Sequence, residues 1–487
     1  MEVIDLLPFQ FWLVLLVFGA GGVWAWRERR QAWGFPVLMV LGTVGAWYIA
    51  DVFYNDYAGY RIMIGDQSLD SAWWQVLLFL IGFLAMAKPM HRMMNRRLLR
   101  GKSFVVRYIE APRLERRDFQ RKINQLAVGL FLAWVLLTVI AMVRVDGDVV
   151  GLFAPYAGRI ARPWARGQIG TGADALLSLA MYLQIFLLAG VGVITAIAQS
   201  PRIRLIALVI CLLAFPTFIF DRTRNTMLVI VLPGVLTWVF LRLRGGLLLK
   251  LGIMAAVFAA VNFWFAVVLT NRSGMLFDIE AALSGENKLD GVHHEGLNMF
   301  EELAWIDSFI TSGAYLPNGG ERYFAELVNV VPRSLWKDKP TIGLDYAVAR
   351  GQVASGPSGE VTATISTGMI GQGVTNFGRL FGPLAAALLM ALWVALLARM
   401  DLLGKDPAWM LLYLCGMIVT FNLGRDISFI GLFPFFFGLG LISLIKSVQT
   451  SARSKLTVRA SGERRRRGMG PGVLRVPVAP GGAGKQD

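Results

Sequence analysis

The stretch NQLAVGLFLAWVLLTVIAMV, residues 124–143, decides the fold class of this chain. It contains no charged residue, and as a helix it is about 30 Å long, which matches the hydrocarbon core of a bilayer. Similar apolar runs recur from end to end of the 487 residues, of which 56% are hydrophobic and only 16% are charged. A soluble domain carries a smaller apolar share and a larger charged share. The sequence therefore predicts an integral membrane protein.

The apolar runs predict an all-α, polytopic transmembrane helical bundle of about eleven spans, with one large external loop that contains amphipathic helices. The expected spans are 9–26, 33–54, 72–87, 124–143, 174–198, 203–220, 226–241, 247–270, 378–398, 409–423 and 427–446. We expect the first eight spans within 1–270, the large loop over 271–377, the last three spans within 378–446 and a disordered basic tail over 447–487.

The positive charge of the chain is distributed unevenly. A net charge of +16 is also typical of nucleic-acid binding, so its distribution decides its meaning. Most Lys and Arg fall in alternate loops, above all the basic loop 88–123 and the C-terminal tail, as is typical of cytoplasmic segments in membrane proteins. We therefore expect membrane lipids and no nucleic acid as partners, an N-terminus on the outer side of the membrane and a cytoplasmic C-terminus.

The large loop 271–377 contains two amphipathic stretches. Within EGLNMFEELAWIDSFITSGAY, residues 295–315, apolar side chains recur every three or four residues, with the acids elsewhere. GGERYFAELVNVVPR, residues 319–333, repeats the pattern and should stop being helical at Pro332. Such helices would lie flat on the outer membrane surface, so we expect the loop to form a folded cap over the bundle.

The stretch VPRSLWKDKP, residues 331–340, is unusually basic for its apolar surroundings. It presents Arg333, Trp336 and Lys339 within a turn or two. Arg and Lys pair with phosphate, and sugar rings stack on indole, so the stretch could bind an anionic, sugar-bearing lipid. The alternative is an interfacial Trp with cations that extend toward water, which is common at the lipid boundary.

Arginines are frequent in the predicted external connections. FDRTRNTML, residues 220–228, joins two apolar spans and contains Asp221, Arg222 and Arg224, which either face a polar cavity or form a short hairpin with an ion pair. Further external arginines are Arg159, Arg162, Arg166, Arg379 and Arg425. External loops are normally poor in arginine, so this convergence is the strongest chemical signal in the sequence.

Two other motifs bear on catalysis. His293 and His294 are adjacent, and adjacent helical residues point about 100° apart, which disfavours a zinc site and leaves a general base as the better interpretation. We therefore expect neither a metal nor a cofactor. The spaced glycines of GQGVTNFG, residues 371–378, predict close helix packing or a re-entrant turn.

Three segments resemble bacterial O-antigen polymerases, the Wzy-type oligosaccharide repeat-unit polymerases. They are RTRNTML (222–228), VPRSLWKDKPTIGLDYAVARG (331–351) and GMIGQGVTNFGRLFGP (368–383), and the likeness covers roughly 200–430. The resemblance implies an inner-membrane glycosyltransferase that works at the periplasmic face. Its substrates would be undecaprenyl-diphosphate-linked oligosaccharides, and a chain-length regulator and a flippase are its implied partners.

The resemblance also assigns roles to residues. Arg222 and Arg224 would neutralise the leaving diphosphate, Arg333 would bind diphosphate or sugar, and His294 or Glu360 would act as the base. The remaining substrate-binding candidates are Trp336, Lys339, Arg350, Asp345, Asn376, Arg379, Arg425 and Arg159, of which Asp345 is a third candidate base.

Two other functions fit the predicted topology. An O-antigen ligase would use the same lipid diphosphate donor and a different acceptor. A flippase or polysaccharide exporter would need ionisable residues in the middle of its spans, and few are present here.

Overall fold

The computed structural model describes most of the predicted membrane helices and part of the large loop. The described residues are 3–98, 103–104, 113–154, 161–164, 179–220, 224–243, 246, 249–250, 252–254, 256–257, 259–260, 263, 298–328, 331, 336, 338–340, 343–351, 365–428, 431–444 and 446–447. The chain forms two compact units, Met1–Gly438 and Leu439–Asp487. The predicted disordered tail lies almost entirely outside the described residues.

All regular secondary structure in the described ranges is helical. The helices are α1 (Phe9–Arg27), α2 (Gly34–Val44), α3 (Tyr57–Met63), α4 (Asp66–Met94), α5 (Arg113–Arg144), α6 (Val149–Phe153), α7 (Ala180–Ile197), α8 (Pro201–Phe220), α9 (Arg224–Leu241), α10 (Met299–Thr311), α11 (Glu321–Val328), α12 (Leu344–Ala349), α13 (Gly368–Leu402) and α14 (Pro407–Leu423). A π-helical turn, Gly45–Ile49, and a short helix, Asp51–Tyr54, extend α2.

Seven helices among the described residues are long and apolar enough to cross a membrane. They are Phe9–Arg27, Gly34–Tyr54, Asp66–Met94, Arg117–Arg144, Ala180–Ile197, Pro201–Phe218 and Gly368–Leu402. Three shorter apolar helices are Thr226–Val239, Pro407–Leu423 and Gly431–Leu444. The chain is thus a helical membrane protein, as predicted. The expected span 247–270 lies mostly outside the described residues, so the count of about eleven stays a prediction.

The predicted basic loop 88–123 is shorter than expected. Helix α4 continues to Met94 and α5 already begins at Arg113. Between them, the backbone N–H of Phe104 donates to the Asp401 carboxylate over 2.6 Å. The ring of Phe104 also lies 5.6 Å from that of Phe119. The first turns of α5 and the last turn of α13 therefore lie at the same end of the bundle, here called the basic end.

The opposite end of the bundle is covered by α10, α11 and α12, together called the cap. Asp51, at the end of the α2 span, accepts hydrogen bonds from the backbone N–H groups of Phe300 (2.8 Å) and Glu301 (3.1 Å). The same carboxylate accepts from Asn55 (2.7 Å) and the Tyr60 hydroxyl (3.0 Å). A negative charge at a helix N-terminus satisfies its free N–H groups and interacts favourably with its dipole. Asp51 therefore fastens α10 to the bundle.

Helix α13 contains a sharp reversal. Gly378 has a φ of 76°, a left-handed conformation that favours glycine, and divides the helix into two pieces. The first piece packs back on the second so closely that a Cβ on Gly373 would lie 2.2 Å from the carbonyl oxygen of Gly382. The close packing predicted for the glycines of 371–378 is confirmed. This first piece is buried from Gly368 to Asn376.

The two amphipathic helices exist as predicted, and charged residues of both are turned toward the interior of the protein. Helix α11 turns Arg322 and Glu326 inward, whereas Phe324 is 49% and Leu327 is 55% exposed. In α10 the three acids are as buried as the apolar side chains. The reason is that each of these charges has an ionic or hydrogen-bonding partner in another segment, so the cap has a polar interior.

Candidate functional site

The first group of charged residues in the cap centres on Glu302 of α10. Its carboxylate lies 3.4 Å from Arg350 Nη2 and accepts a hydrogen bond of 2.7 Å from the Tyr346 hydroxyl. Arg350 also approaches Glu301 at 4.0 Å and stacks over the Trp305 ring, 4.5 Å from its centroid. Burial raises the pKa of Glu302 above its ordinary value, although Arg350 and Tyr346 oppose the shift. This group joins α12 to α10.

The second group centres on Asp307, one turn and a half further along α10. Its carboxylate accepts hydrogen bonds from Ser71 and Gln75, each at 2.7 Å, and from Arg379 Nη2 at 3.2 Å, and it forms an ion pair with Arg379 at 2.7 Å. Arg379 donates in addition to the Asp307 carbonyl (2.9 Å) and to the Thr311 hydroxyl. Burial raises the pKa of Asp307 despite these donors. The group locks α4, α10 and α13 together.

The third group contains an arginine with two unused donors, whereas Arg350 and Arg379 each leave one, Nε, without a hydrogen-bond partner. Arg322 of α11 is buried and makes one contact, 3.4 Å from its Nη2 to the Asp426 carboxylate. Its Nε and Nη1 are buried and have no hydrogen-bond partner. Asp426 also accepts from the backbone N–H (3.1 Å) and hydroxyl (3.2 Å) of Thr367. A buried guanidinium normally has every donor satisfied, so Arg322 has capacity for another acceptor.

Other polar groups surround the Arg322 guanidinium. The Tyr323 hydroxyl is also buried without a hydrogen-bond partner. Its pKa is raised by burial, with Arg322 acting in the opposite direction, so the phenol stays neutral. Gly343 lies so close that a Cβ there would be 3.3 Å from the Arg322 carbon Cζ. We call Arg322, Tyr323, Gly343, Asp345 and Asp426 the Arg322 site.

Asp345 lies in the first turn of α12, two residues after Gly343. It accepts hydrogen bonds from the Tyr315 hydroxyl (2.6 Å) and from Asn318 (3.1 Å). Burial alone would raise the pKa of Asp345, but these hydrogen bonds and the charge of Arg322 bring it below its ordinary value. Asp345 is therefore a carboxylate at neutral pH.

The remaining described candidates have partners within the protein. Arg425 Nε donates to Ser366 over 2.6 Å, and the side chain of Asn376 accepts from the Tyr323 backbone N–H over 3.2 Å. Lys339 is largely buried and donates to the Val331 carbonyl over 2.9 Å. Trp336 is partly exposed, with its ring at an angle to that of Phe324.

The predicted convergence of arginines stays a prediction, because several of its members lie outside the described residues. Arg350, Arg379 and Arg425 come from separate segments to the cap end, but each binds a different acceptor, so the described contacts do not place them around one hollow. Five candidates lie outside the described residues, as does the side chain of Arg224, which begins α9. They are Arg159, Arg222, His294, Arg333 and Glu360.

Sequence reasoning missed the acids that organise the cap and the arginine at its centre. Asp51 interrupts an apolar span, and a charge there is a recognisable signal of function. Arg322 and Glu326 are four residues apart and so share one helix face. Nothing in the sequence shows that this face, and not the apolar one, is covered by protein.

Comparisons with protein-family models, with curated proteins and with solved structures find no match. The resemblance stated above therefore remains an expectation, and the function has to be argued from the site. Among the described residues, no group of three or more His, Cys, Asp or Glu side chains could hold a metal ion. What the Arg322 site offers is a buried positive charge, a neutral hydroxyl and two carboxylates.

Proposed function

We propose that this protein is a glycosyltransferase of the bacterial inner membrane, an oligosaccharide repeat-unit polymerase that works at the periplasmic face. Its substrates would be oligosaccharides linked to undecaprenyl diphosphate, and its product a surface polysaccharide. The observation that carries the proposal is the Arg322 guanidinium, buried at one end of a membrane bundle with two N–H donors unused. Such donors suit a phosphate or diphosphate oxygen.

The reaction requires charge stabilisation more than protonation. The acceptor hydroxyl attacks the anomeric carbon of the donor glycan, a new C–O bond forms, and the bond from that carbon to the diphosphate breaks. The diphosphate leaves with the electron pair, and the hydroxyl proton moves to a base. Donors fixed where negative charge develops are commonly the largest single contribution to catalysis.

The Arg322 site contains groups for each part of this reaction. Arg322 would neutralise the diphosphate, and the Tyr323 hydroxyl would donate to a phosphate or sugar oxygen. The carboxylates of Asp345 and Asp426 are the nearby acceptors for the hydroxyl proton. Because its pKa is lowered, Asp345 would take the proton late, when the new bond is largely formed.

Other candidates fit around this site as further proposals. Trp336, partly exposed beside α11, would stack against a sugar ring. Arg222, Arg224 and Arg333, whose side chains are not among those described, would also bind the carrier diphosphate. A flippase would supply the lipid-linked repeat units and a chain-length regulator would limit the product.

The test is chain growth by the purified protein. The full chain is reconstituted in phospholipid nanodiscs with a synthetic undecaprenyl-diphosphate repeat unit, and products are resolved on a gel. We expect ladders from the wild type, with growth about 10- to 150-fold slower for Arg322→Gln, because a hydrogen bond to a charged group contributes about 1.5–3 kcal/mol.

The matched control is Arg399→Gln, which removes an exposed arginine from the other end of α13. It should leave the ladder unchanged. No ladder from the wild type, or an undiminished ladder from Arg322→Gln, would show the proposal to be wrong. Transfer to another acceptor without chain growth would identify a ligase instead.

A further inference from the structure

A second site lies in a groove between α5, α7 and α8. The cavity has a volume of about 170 Å³, and its wall is mostly carbon. Its lining includes Trp134, Ala141, Phe153, Trp164, Met181 and Phe218. It shares no residue with the Arg322 site, so this inference does not depend on the proposed function.

The groove lies at the end of the bundle opposite the basic end. Helix α5 starts at the basic end, where Gln120 donates to the Ile197 carbonyl over 3.2 Å, and the groove lies beside its last turns. Helix α8 runs from Pro201, close to the end of α7, toward the groove. In a membrane, this position is near the level where acyl chains meet headgroups.

The groove also borders the surface of the protein that faces lipid. Exposed residues on the outer face of α5 include Leu132, Leu136 and Val143, and those on α8 include Leu205 and Leu212. Apolar side chains exposed along two neighbouring transmembrane helices are expected where hydrocarbon surrounds the protein. A hydrocarbon chain could therefore enter the groove from the bilayer.

Two arginines give the groove a positive rim. Arg162 is part of the lining, and the guanidinium of Arg144 lies 5.9 Å from the centroid of the Trp164 ring. Trp164 is itself fixed, since its indole N–H donates to the Gln184 side chain over 2.5 Å. The wall is thus apolar and the rim cationic, which is complementary to an acyl chain attached to a phosphate.

We propose that this groove binds an anionic glycerophospholipid, with one acyl chain against Trp134 and Trp164 and the phosphate beside Arg162 and Arg144. The volume is consistent with part of a chain, because an apolar cavity of about 150 Å³ holds a molecule the size of benzene. The rest of the lipid would remain in the surrounding bilayer. The ligand would be a resident lipid and not a reactant.

The experiment measures lipid retained by the full-length protein. Purified protein is delipidated in mild detergent, titrated with phosphatidylglycerol or with phosphatidylcholine of the same acyl chains, and examined by native mass spectrometry. We expect one phosphatidylglycerol to bind at least tenfold more tightly than phosphatidylcholine. Arg162→Gln should reduce phosphatidylglycerol affinity about tenfold and bring the two lipids close together, because one charge-assisted hydrogen bond is lost.

A second variant tests the groove itself. Met181 is partly exposed at the lining, so Met181→Trp can fill the groove without disturbing the core, and it should abolish binding of both lipids. Arg61→Gln removes an exposed arginine outside the groove and should change nothing. Equal binding of the two lipids by the wild type, or unchanged phosphatidylglycerol binding by both Arg162→Gln and Met181→Trp, would overturn the proposal.

Discussion

Two arginine–aspartate pairs in the cap differ in what they leave unused. The Arg379 side chain is 40% exposed, contacts Asp307 at 2.7 Å, donates also to the Thr311 hydroxyl and a carbonyl, and leaves one N–H group, at Nε, unpaired. The Arg322 side chain is 3% exposed, contacts Asp426 at 3.4 Å and leaves two N–H groups unpaired. Leaving a buried donor unpaired costs about 1–3 kcal/mol. Geometry, and not residue type, therefore distinguishes an arginine that holds the fold from one that is available to a ligand.

The largest effect should come from breaking the Asp307–Arg379 pair. Asp307→Ala leaves Arg379, Ser71 and Gln75 without their shared acceptor. It should lower the free energy of unfolding by roughly 3 kcal/mol. This is near the lower bound for a broken buried ion pair, because Arg379 keeps access to water. Thermal unfolding in detergent, followed by tryptophan fluorescence, measures it. Asp66→Ala breaks the exposed pair with Arg61 and should change stability little. Equal effects of the two variants would contradict the structural role of Asp307.

The next largest effects should come from replacing each of the two arginines and measuring both stability and chain growth. Arg379→Gln should reduce thermal stability and leave chain growth per folded molecule nearly unchanged, since its contacts are all within the fold. Arg322→Gln should do the reverse, with a change in unfolding free energy within about 1 kcal/mol because only one long contact is lost. Stability and turnover are measured on the same preparations. If both variants lost stability and turnover to the same extent, Arg322 and Arg379 would not differ in role.

The stability of the protein should depend on pH in different ways through Glu302 and through Asp345. The pKa of Glu302 is raised in the folded protein, so the folded state binds its proton more tightly than the unfolded state does. Its contribution to stability is therefore complete below about pH 4.5, the unfolded value, and is lost as pH rises through the folded pKa.

The measurement for Glu302 is a pair of unfolding curves. The wild type should gain stability relative to Glu302→Gln as pH falls from 7 to about 4.5, because Gln cannot take up a proton. Asp345→Asn is the matched control: the pKa of Asp345 is lowered, so its effect lies at still lower pH and has the opposite sign. Parallel curves for wild type and Glu302→Gln would show that the carboxyl does not titrate differently on folding.

The smallest effect on stability should come from Tyr323. Its hydroxyl is buried without a partner, so Tyr323→Phe should leave the free energy of unfolding unchanged or raise it by about 1 kcal/mol. Chain growth should nevertheless fall, if the hydroxyl contacts substrate as proposed. Tyr346→Phe removes a hydroxyl that donates to Glu302 and should lower stability by about 1 kcal/mol. A stability loss in Tyr323→Phe equal to that in Tyr346→Phe would indicate a partner for the Tyr323 hydroxyl.

The sequence predicted the features that depend on residues close together in the chain. Apolar length placed the membrane helices, periodicity placed α10 and α11, and the glycines of 371–378 indicated tight packing. Periodicity shows which residues share a helix face, but it does not show what covers that face. For this reason the sequence does not show that Arg322 and Glu326 of α11 are covered by protein.

Features that depend on distant segments could not be predicted in this way. The partners of Asp307 lie on α4 and α13, and the partner of Arg322 follows α14. No local pattern specifies such pairs. Arg350, Arg379 and Arg425 were nominated from the sequence and lie at the cap end. Arg322, which leaves two donors unused, lies within an amphipathic helix and was not nominated.

The link between Asp51 and α10 has a consequence for synthesis of the protein. Asp51 and the backbone amide of Phe300 are 249 residues apart, and translation proceeds at about 5–20 residues per second. A carboxylate inserted with an early span thus waits on the order of ten seconds or more for the amides that will satisfy it. Until then it would need water, a proton or the insertion machinery as a substitute. A ribosome that stalls before the cap is made would leave that acid in the membrane, a defect that quality control could recognise.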